Sequence, residues 1–179
     1  MASFWLDPAT NKRYNEGRAF TYNDKQYTRS GASASTFSAL GFNAVVVGPR
    51  PDDRFYIVSG PDNTGAYTST ARDLAQLKEN YVRQTKLSAR NILKKTDWLV
   101  IRKEENASTI PASVEAFRDA VRTISDDNCT AINAAATVEA LKALVDAPYE
   151  IEDTNNPGSM IANPAALDDY PAEVSGYDY

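Results

Sequence analysis

Apolar positions between residues 69 and 95 recur at helical spacing. At about 100° per residue, one face of this segment collects apolar and small side chains. These are Leu74, Leu77, Tyr81, Ser88 and Ile92. The pattern predicts one long amphipathic helix. We expect Thr70 to be its N-cap, with Asp73 three residues later in an arrangement that resembles a capping box.

Two further helices are predicted after the first. One begins near Pro111, because a proline in the first turn of a helix removes no hydrogen bond. Its predicted buried positions are Val114, Phe117, Val121 and Ile124. The other begins at Thr137, and its predicted buried positions are Val138, Leu141, Leu144 and Val145. Residues 69–146 therefore form a predicted helical region.

Residues 1–68 contain shorter apolar segments separated by turn residues. Phe20 and Tyr22 share one face of a predicted strand. The Asn23-Asp24 pair then turns the chain back toward Tyr27, which indicates a β-hairpin.

A short helix and two strands follow in the same region. Ser33–Gly41 predicts the helix, and Gly41 is its expected C-terminal stop. Ala44–Val47 and Arg54–Ser59 predict the strands. Each is followed by a Gly-Pro pair, which interrupts regular structure. Residues 1–68 are therefore predicted to be β-rich.

The composition changes in residues 147–179. This segment contains four prolines, seven carboxylates and no Lys or Arg. The carboxylates are Glu150, Glu152, Asp153, Asp168, Asp169, Glu173 and Asp178. Because the whole chain has a net charge of −5, residues 1–146 carry a net charge of +2. An acidic, proline-containing segment is typical of chain that does not fold alone.

These regions together define an α+β fold. It has a small β-rich N-terminal part, then a helical hairpin with a third short helix, and last an extended acidic C-terminal arm. The arm also carries four tyrosines: Tyr149, Tyr170, Tyr177 and Tyr179. Two interpretations remain open for it. It is either a solubilising disordered end or an arm whose tyrosines bind another protein, as aromatic residues do at interface centres.

Four basic residues lie opposite the apolar face of the first long helix, within an arc of about 80°. They are Arg83, Lys86, Arg90 and Lys94. Three interpretations are open: a solvated face, a nucleic-acid site, or a docking site for an acidic segment such as the arm of a neighbouring copy. The negative net charge and the lack of interleaved aromatic residues disfavour nucleic acid.

Composition disfavours enzymatic chemistry. The chain has no histidine and one cysteine, which excludes Ser-His-Asp and Cys-His catalytic sets and the usual zinc sites. Its acidic doublets are adjacent in sequence, whereas paired catalytic carboxylates flank a bond. Asp7–Asn11 and Asp62–Gly65 do not match the calcium-loop pattern and are predicted turns. We therefore expect no catalytic residue, no metal and no cofactor.

The sequence predicts no membrane association and no secretion. The longest apolar runs have four residues, whereas a membrane-spanning helix needs about 20. The N-terminus has no basic segment followed by an apolar one. A single cysteine, Cys129, suits synthesis in a reducing cytoplasm.

One of the two longest apolar runs, Trp98–Ile101, stands where the first long helix is expected to end. We predict that Trp98 and Ile101 face the helical hairpin and close its open end. Asp97 is then placed to pair with either Arg118 or Arg122 of the next helix.

The segment Ala89–Arg122 resembles the tail-fibre assembly and tail assembly chaperone-like proteins of tailed bacteriophages. Their shared pattern is a helix that ends in Thr/Ser-Asp-Trp, a polar loop with a proline, and a helix with an aromatic-Arg-x-x-[Leu/Val]-Arg signature. The corresponding residues here are Asp97, Trp98, Pro111, Phe117, Arg118, Val121 and Arg122. The resemblance extends from Arg50 to Arg122. Phe117 stands where the family often has tyrosine, which favours a packing role.

This resemblance implies a non-enzymatic structural component of a phage tail, in the baseplate or the tail-fibre attachment region. Its partners would be other tail or fibre proteins and copies of itself, and its location the virion tail after synthesis in the host cytoplasm. The alternative is a transient assembly chaperone that is absent from the mature virion. A third class, a tail enzyme acting on cell-wall or capsule polysaccharide, is disfavoured by the composition. The residues expected to bind partners are Trp98, the four basic residues of the first long helix and the four arm tyrosines.

Overall fold

The structure, a computed structural model, describes residues 3–154 and 156–172. The chain forms two compact units, Met1–Ala71 and Arg72–Tyr179. Short strands dominate the first unit and helices dominate the second, which confirms the predicted α+β class. The predicted boundary after residue 68 falls inside the last strand of the first unit, and residues 147–179 belong to the second unit.

The first unit is built from short strands and one short helix. In chain order they are β1 (Phe4–Leu6), β2 (Arg13–Tyr14), β3 (Phe20–Tyr22), β4 (Lys25–Tyr27), α1 (Ala34–Ala39), β5 (Asn43–Val45), β6 (Tyr56–Ser59) and β7 (Thr68–Ala71). β2, β1 and β5 form an antiparallel sheet in that order. β3–β4 and β6–β7 each form a two-stranded antiparallel pair.

Aromatic rings form the core of the first unit. Phe37 of α1 is fully buried, and its ring lies 5.7 Å from that of Trp5 in a stacked arrangement. Tyr14 stacks on Phe42 at 4.9 Å and meets the edge of Phe20 at 5.1 Å. Offset and edge-to-face contacts of this kind add to the free energy gained from burying the rings. The aromatic side chains therefore connect strands that are too short to bury much surface alone.

The predicted hairpin at residues 20–27 is confirmed. Phe20 pairs with Tyr27 across β3 and β4, and their rings stack at 4.5 Å. Asn23 and Asp24 form the two-residue turn with φ values of 48° and 60°. Both values lie in the left-handed region, which the favoured hairpin turn requires and which Asn and Asp tolerate. The predicted short helix is confirmed as α1, with Gly41 after it at φ 77°.

The loop between β6 and β7 depends on one glycine. Gly65 has a φ of +84°, and a Cβ atom at this position would lie 2.4 Å from the carbonyl oxygen of Val46. Only glycine permits both the backbone conformation and this close approach.

The strand that follows this loop, β7, pairs Thr70 with Ile57. Thr70 therefore belongs to a strand, and the prediction that it is the N-cap of the first long helix is wrong.

The second unit is mainly helical. Its elements are α2 (Leu74–Lys94), α3 (Asp97–Asn106), α4 (Ala112–Ala134), α5 (Val138–Asp146), β8 (Glu150–Glu152) and β9 (Met160–Ala162). Asp73 is the N-cap of α2, because its carboxylate accepts a hydrogen bond from the Gln76 N–H at 2.8 Å. Within the described residues, none of the helices combines the length and the apolar character that a membrane span requires.

The predicted stripes of the later helices are largely confirmed. In α4, Val114, Phe117 and Val121 are buried, whereas Ile124 is half-buried. In α5, Val138 and Leu141 are buried and Leu144 and Val145 are half-buried. The Thr137 hydroxyl caps α5 by accepting the N–H of Ala140 at 3.1 Å. α2 and α4 pack against each other through Ala89, Phe117 and Val121. The prediction that Ser88 lies on the buried face of α2 is wrong, because Ser88 is exposed and its neighbour Ala89 is buried.

The resemblance predicted a polar loop after Asp97 and Trp98, but these residues begin the helix α3. It ends at Ala107, which has a left-handed φ of 56°. Leu99 is buried and Trp98 half-buried, but Ile101 is 57% exposed. Residues two positions apart in a helix point in nearly opposite directions, so Leu99 and Ile101 cannot both face inward. The prediction that Ile101 closes the helical hairpin is wrong, and Leu99 is the buried residue.

Candidate functional site

Arg118 of α4 contacts α2 and the start of α3, so it joins these three helices at one point. Its guanidinium is 8% exposed and lies 2.9 Å from the Asp97 carboxylate. It also donates to the Thr96 hydroxyl at 2.6 Å and to the Leu93 carbonyl at 2.9 Å. Of the two partners predicted for Asp97, the structure selects Arg118. Arg122 instead pairs with Asp119, one turn before it on α4, at the surface.

Other residues of the pattern that resembles the phage tail proteins lie close to this point. Phe117 and Val121 pack with Ala89 of α2 in one buried cluster, next to Arg118 in sequence. Pro111 is the N-cap residue of α4. Asp97, Phe117, Arg118 and Val121 of the pattern thus hold α2, α3 and α4 together by hydrogen bonding and packing.

An open groove of about 700 Å³ runs along the exposed side of α2. We call it the basic groove and define it by Val82, Arg83, Lys86, Leu87 and Arg90. The Leu87 side chain is 47% exposed. Long cationic side chains therefore stand around an apolar floor. An exposed apolar surface with a polar rim is typical of a protein-binding site.

The basic groove combines three of the four predicted basic residues. Arg83, Lys86 and Arg90 line it, whereas Lys94 lies outside its lining. The charge pattern alone did not indicate the apolar floor, Val82 and Leu87. Helical spacing could have found it, because Val82 and Leu87 flank the basic arc at about 100° per residue. Asn133 of α4 also lines the groove.

Among the described residues, neither the Lys86 ammonium nor the Arg90 guanidinium forms an ion pair. Arg83 donates to the side-chain oxygen of Asn80 at 2.7 Å. A second hollow of about 430 Å³ adjoins the groove, since Lys86 and Arg90 also line it together with Arg122. The cations at the centre of the groove thus remain available to an acidic partner.

The part of the predicted arm that the structure describes, residues 147–154 and 156–172, folds back on its own unit. β8 and β9 pair with Ile151 opposite Ile161. The following residues, 163–172, are here called the C-terminal strap. The side-chain amide of Asn128 donates to the Asp168 carbonyl at 2.9 Å and accepts the Asp168 N–H at 2.8 Å. Contacts within the chain therefore hold this part of the arm.

Tyr170 is the second attachment of the C-terminal strap. Its hydroxyl donates to the Thr85 carbonyl of α2 at 3.0 Å, and its ring packs against Ala89, Phe117 and Val121. Burial raises the pKa of the Tyr170 hydroxyl above its ordinary value. The prediction placed this tyrosine on another protein, but in the structure it covers the joint between α2 and α4. Tyr177 and Tyr179 lie outside the described residues.

The outer surface of the hairpin and the C-terminal strap carries the opposite charge. A hollow of about 700 Å³ is lined there by Tyr149, Glu150, Met160, Asp168 and Asp169, which we call the acidic face. Tyr149 is 54% exposed and Met160 is 55% exposed. Of the arm tyrosines within the described residues, Tyr149 is thus the one placed to contact a partner.

Other acidic side chains serve the loops that contain them. Asp7 accepts hydrogen bonds from the Ala9 N–H and the Thr10 hydroxyl, and the Thr10 bond lowers the pKa of Asp7. The Thr64 hydroxyl likewise lowers the pKa of Asp62. Across residues 3–154 and 156–172, no group of three or more potential metal ligands comes together. The basic groove and the acidic face each combine charged and apolar side chains. The sequence matches none of the protein-family models, curated proteins or solved structures with which it was compared.

Proposed function

We propose that this protein is a non-enzymatic structural component of a bacteriophage tail, in the baseplate or the tail-fibre attachment region. It acts through protein–protein contacts. The observation that carries the proposal is the basic groove on α2, in which Leu87 is 47% exposed between cationic side chains. The resemblance of Ala89–Arg122 to phage tail proteins is the reason for placing these contacts in a phage tail.

The composition of the basic groove favours a protein partner over nucleic acid. Its floor is apolar, and Glu79 lies among its lining residues. Neutralisation of the phosphate backbone by Lys and Arg dominates nucleic-acid affinity, and that backbone has no apolar side chain to place on such a floor. A peptide segment with acidic and apolar side chains satisfies both parts of the groove. Charge matching of this kind orients a partner and raises its rate of association.

The junction around Arg118 supports the assignment to this class of protein. The resemblance rests on an ordered set of residues, and the structure brings the polar members Asp97 and Arg118 to 2.9 Å. Phe117 and Val121 are buried beside them. The pattern thus holds the C-terminal end of α2 against α4 and the start of α3.

The test uses virions of the phage that encodes the chain. We expect mass spectrometry of purified particles to find the protein in fixed stoichiometry with known tail proteins. Leu87→Asp places a charge on the floor of the groove and is expected to prevent its incorporation. Ile101→Asp is the matched control, because Ile101 is equally apolar, 57% exposed and outside the groove.

Two outcomes would change the proposal. Particles that lack the protein but require it for assembly would favour the transient chaperone. Normal incorporation of both variants would remove the basic groove from the function. Circular dichroism of each purified variant verifies that the helices are intact before either outcome is interpreted.

A further inference from the structure

The second unit carries two exposed surfaces of similar size and opposite charge. The basic groove and the acidic face each enclose about 700 Å³. Each also exposes large apolar side chains, Leu87 in the groove and Tyr149 and Met160 on the face. Each surface alone indicates that a partner binds there but does not identify that partner. Together they are complementary in charge, and both expose apolar side chains.

The two surfaces lie on opposite sides of α4. Asn133 lines the basic groove and Ile124 lines the acidic face. Nine residues separate them on one continuous helix, which at about 100° per residue amounts to two and a half turns. Their side chains therefore point in opposite directions. The surfaces cannot meet within one chain, so any contact between them joins two copies.

The C-terminal strap gives the acidic face a defined shape. The amide of Asn128 binds the backbone of Asp168, and Tyr170 is anchored on α2. Residues Asp168 and Asp169 precede Tyr170, so their carboxylates are presented from a segment fixed at both ends. Glu150 and Met160 project on the same side of the hairpin, since Glu150 pairs with Ala162 and Glu152 with Met160. A preorganised surface loses less conformational entropy on binding.

We propose that the partner of the basic groove is a second copy of this chain, which inserts its acidic face there. The contact is head-to-tail, since it joins two different surfaces of the same protein. Such a contact closes into a ring or extends as a filament. This inference rests on the proposed function, because it names the protein that the basic groove binds in a tail.

Light scattering after size-exclusion chromatography tests the inference on the full-length chain. We expect a mass that rises with protein concentration and falls with added salt, because salt screens the charges at the rim of the contact. The groove variant is Lys86→Glu with Arg90→Glu. The face variant is Glu150→Lys with Asp168→Lys. Each is expected to weaken self-association by at least about tenfold.

Mixing the two variants provides the decisive measurement. The native acidic face of the groove variant fits the native groove of the face variant, so the mixture is expected to associate while neither protein does alone. Arg102→Glu with Lys103→Glu is the control, because it makes the same change of charge on α3 outside the groove. It should leave self-association unchanged.

Three results would overturn the inference: a wild-type chain that stays monomeric at all concentrations, a groove variant that associates like the wild type, or a mixture that fails to associate. These are distinguishable from failure of the proposed function. If the wild type is monomeric but the groove variant is still excluded from virions, the groove binds another tail protein and not a second copy of this chain. Virions that need neither the protein nor its groove remove the proposed function itself.

Discussion

The two units of this protein are stabilised in different ways. The first connects short strands and one short helix through a cluster of aromatic rings around Phe37. The second pairs long helices through aliphatic stripes and fixes their junction with the polar group Arg118. In the first unit, aromatic side chains from several short elements converge in one cluster. In the second, the regular period of α2 leaves a continuous outer side on which charged and apolar groups form a groove.

This contrast shows why the binding surfaces arise on the helices. A long helix that buries one stripe necessarily presents the opposite side to solvent. Strands of two to four residues provide no such continuous surface. The four predictions that follow test the contrast, from the largest expected effect to the smallest.

Phe37→Ala should have the largest effect. Phe37 is fully buried at the centre of the aromatic cluster, so its truncation is expected to cost about 3–5 kcal/mol. Because the long helices belong to the second unit, the far-ultraviolet helical signal should persist when the first unit unfolds. Thermal denaturation followed by both tryptophan fluorescence and circular dichroism measures this. A single shared loss of both signals would show that the units do not differ in the way described.

Arg118→Ala should have the next largest effect, within the second unit. It removes bonds to Asp97, Thr96 and Leu93 and is expected to destabilise the unit by about 3 kcal/mol. Arg122→Ala is the matched control on the same helix. Its exposed pair with Asp119 should contribute about 0–1 kcal/mol. Urea denaturation of both variants measures the difference, and equal losses would contradict a special role for Arg118.

Tyr170→Phe should loosen the C-terminal strap without unfolding the helices. It removes one hydrogen bond to Thr85, a change of about 1 kcal/mol, and keeps the ring in place. Hydrogen exchange of residues 163–172 should become faster. The raised pKa of Tyr170 gives a second measurement. The stability from its neutral hydroxyl is complete below the unfolded pKa of about 10 and is lost as pH rises through the higher folded value.

The strap should therefore loosen in alkaline solution in the wild type. Tyr170→Phe should remove that part of the pH dependence. If both proteins showed the same alkaline loosening of residues 163–172, another group would be responsible.

Asp7→Asn should have the smallest effect, which should be present near neutral pH and disappear in acid. The folded state lowers the pKa of Asp7, chiefly through the Thr10 hydroxyl. Its stabilising contribution is present above the unfolded pKa of about 3.9 and is lost as pH falls through the lower folded value. Asn at this position should make the stability of the first unit less dependent on pH in that range. An unchanged acid titration would show that the loop Asp7–Asn11 does not depend on this carboxylate.

Local patterns in the sequence were sufficient for much of the fold. The hairpin at residues 20–27 follows from a left-handed Asn-Asp turn between aromatic residues, and α4 and α5 follow from helical spacing. The helix α3 was missed because a run of four apolar residues beside charged ones has no clear period. Its buried residue, Leu99, became evident only once the helix fixed the direction of each side chain.

The candidate site was harder to predict, because it depends on contacts between distant residues. The cations of α2 could be found from spacing, and so could the two alternative partners of Asp97. The binding of Tyr170 to Thr85 joins residues that lie 85 positions apart. Strands of three residues, such as β8 and β9, are too short to show an alternating pattern from which a hairpin could be predicted. Composition therefore indicated an extended arm where the chain in fact returns to its own helices.

The contact between Asn128 and Asp168 has a consequence for how the sequence of this protein can evolve. The amide of Asn128 recognises the peptide group of Asp168 through both a donor and an acceptor, as a neighbouring strand would. It does not recognise the carboxylate. Any residue with a backbone N–H would satisfy it, so substitution at position 168 keeps this attachment as long as the new residue is not proline. The alignment of the strap is thus independent of its surface chemistry, and mutations can alter the acidic face while the underlying attachment is inherited unchanged.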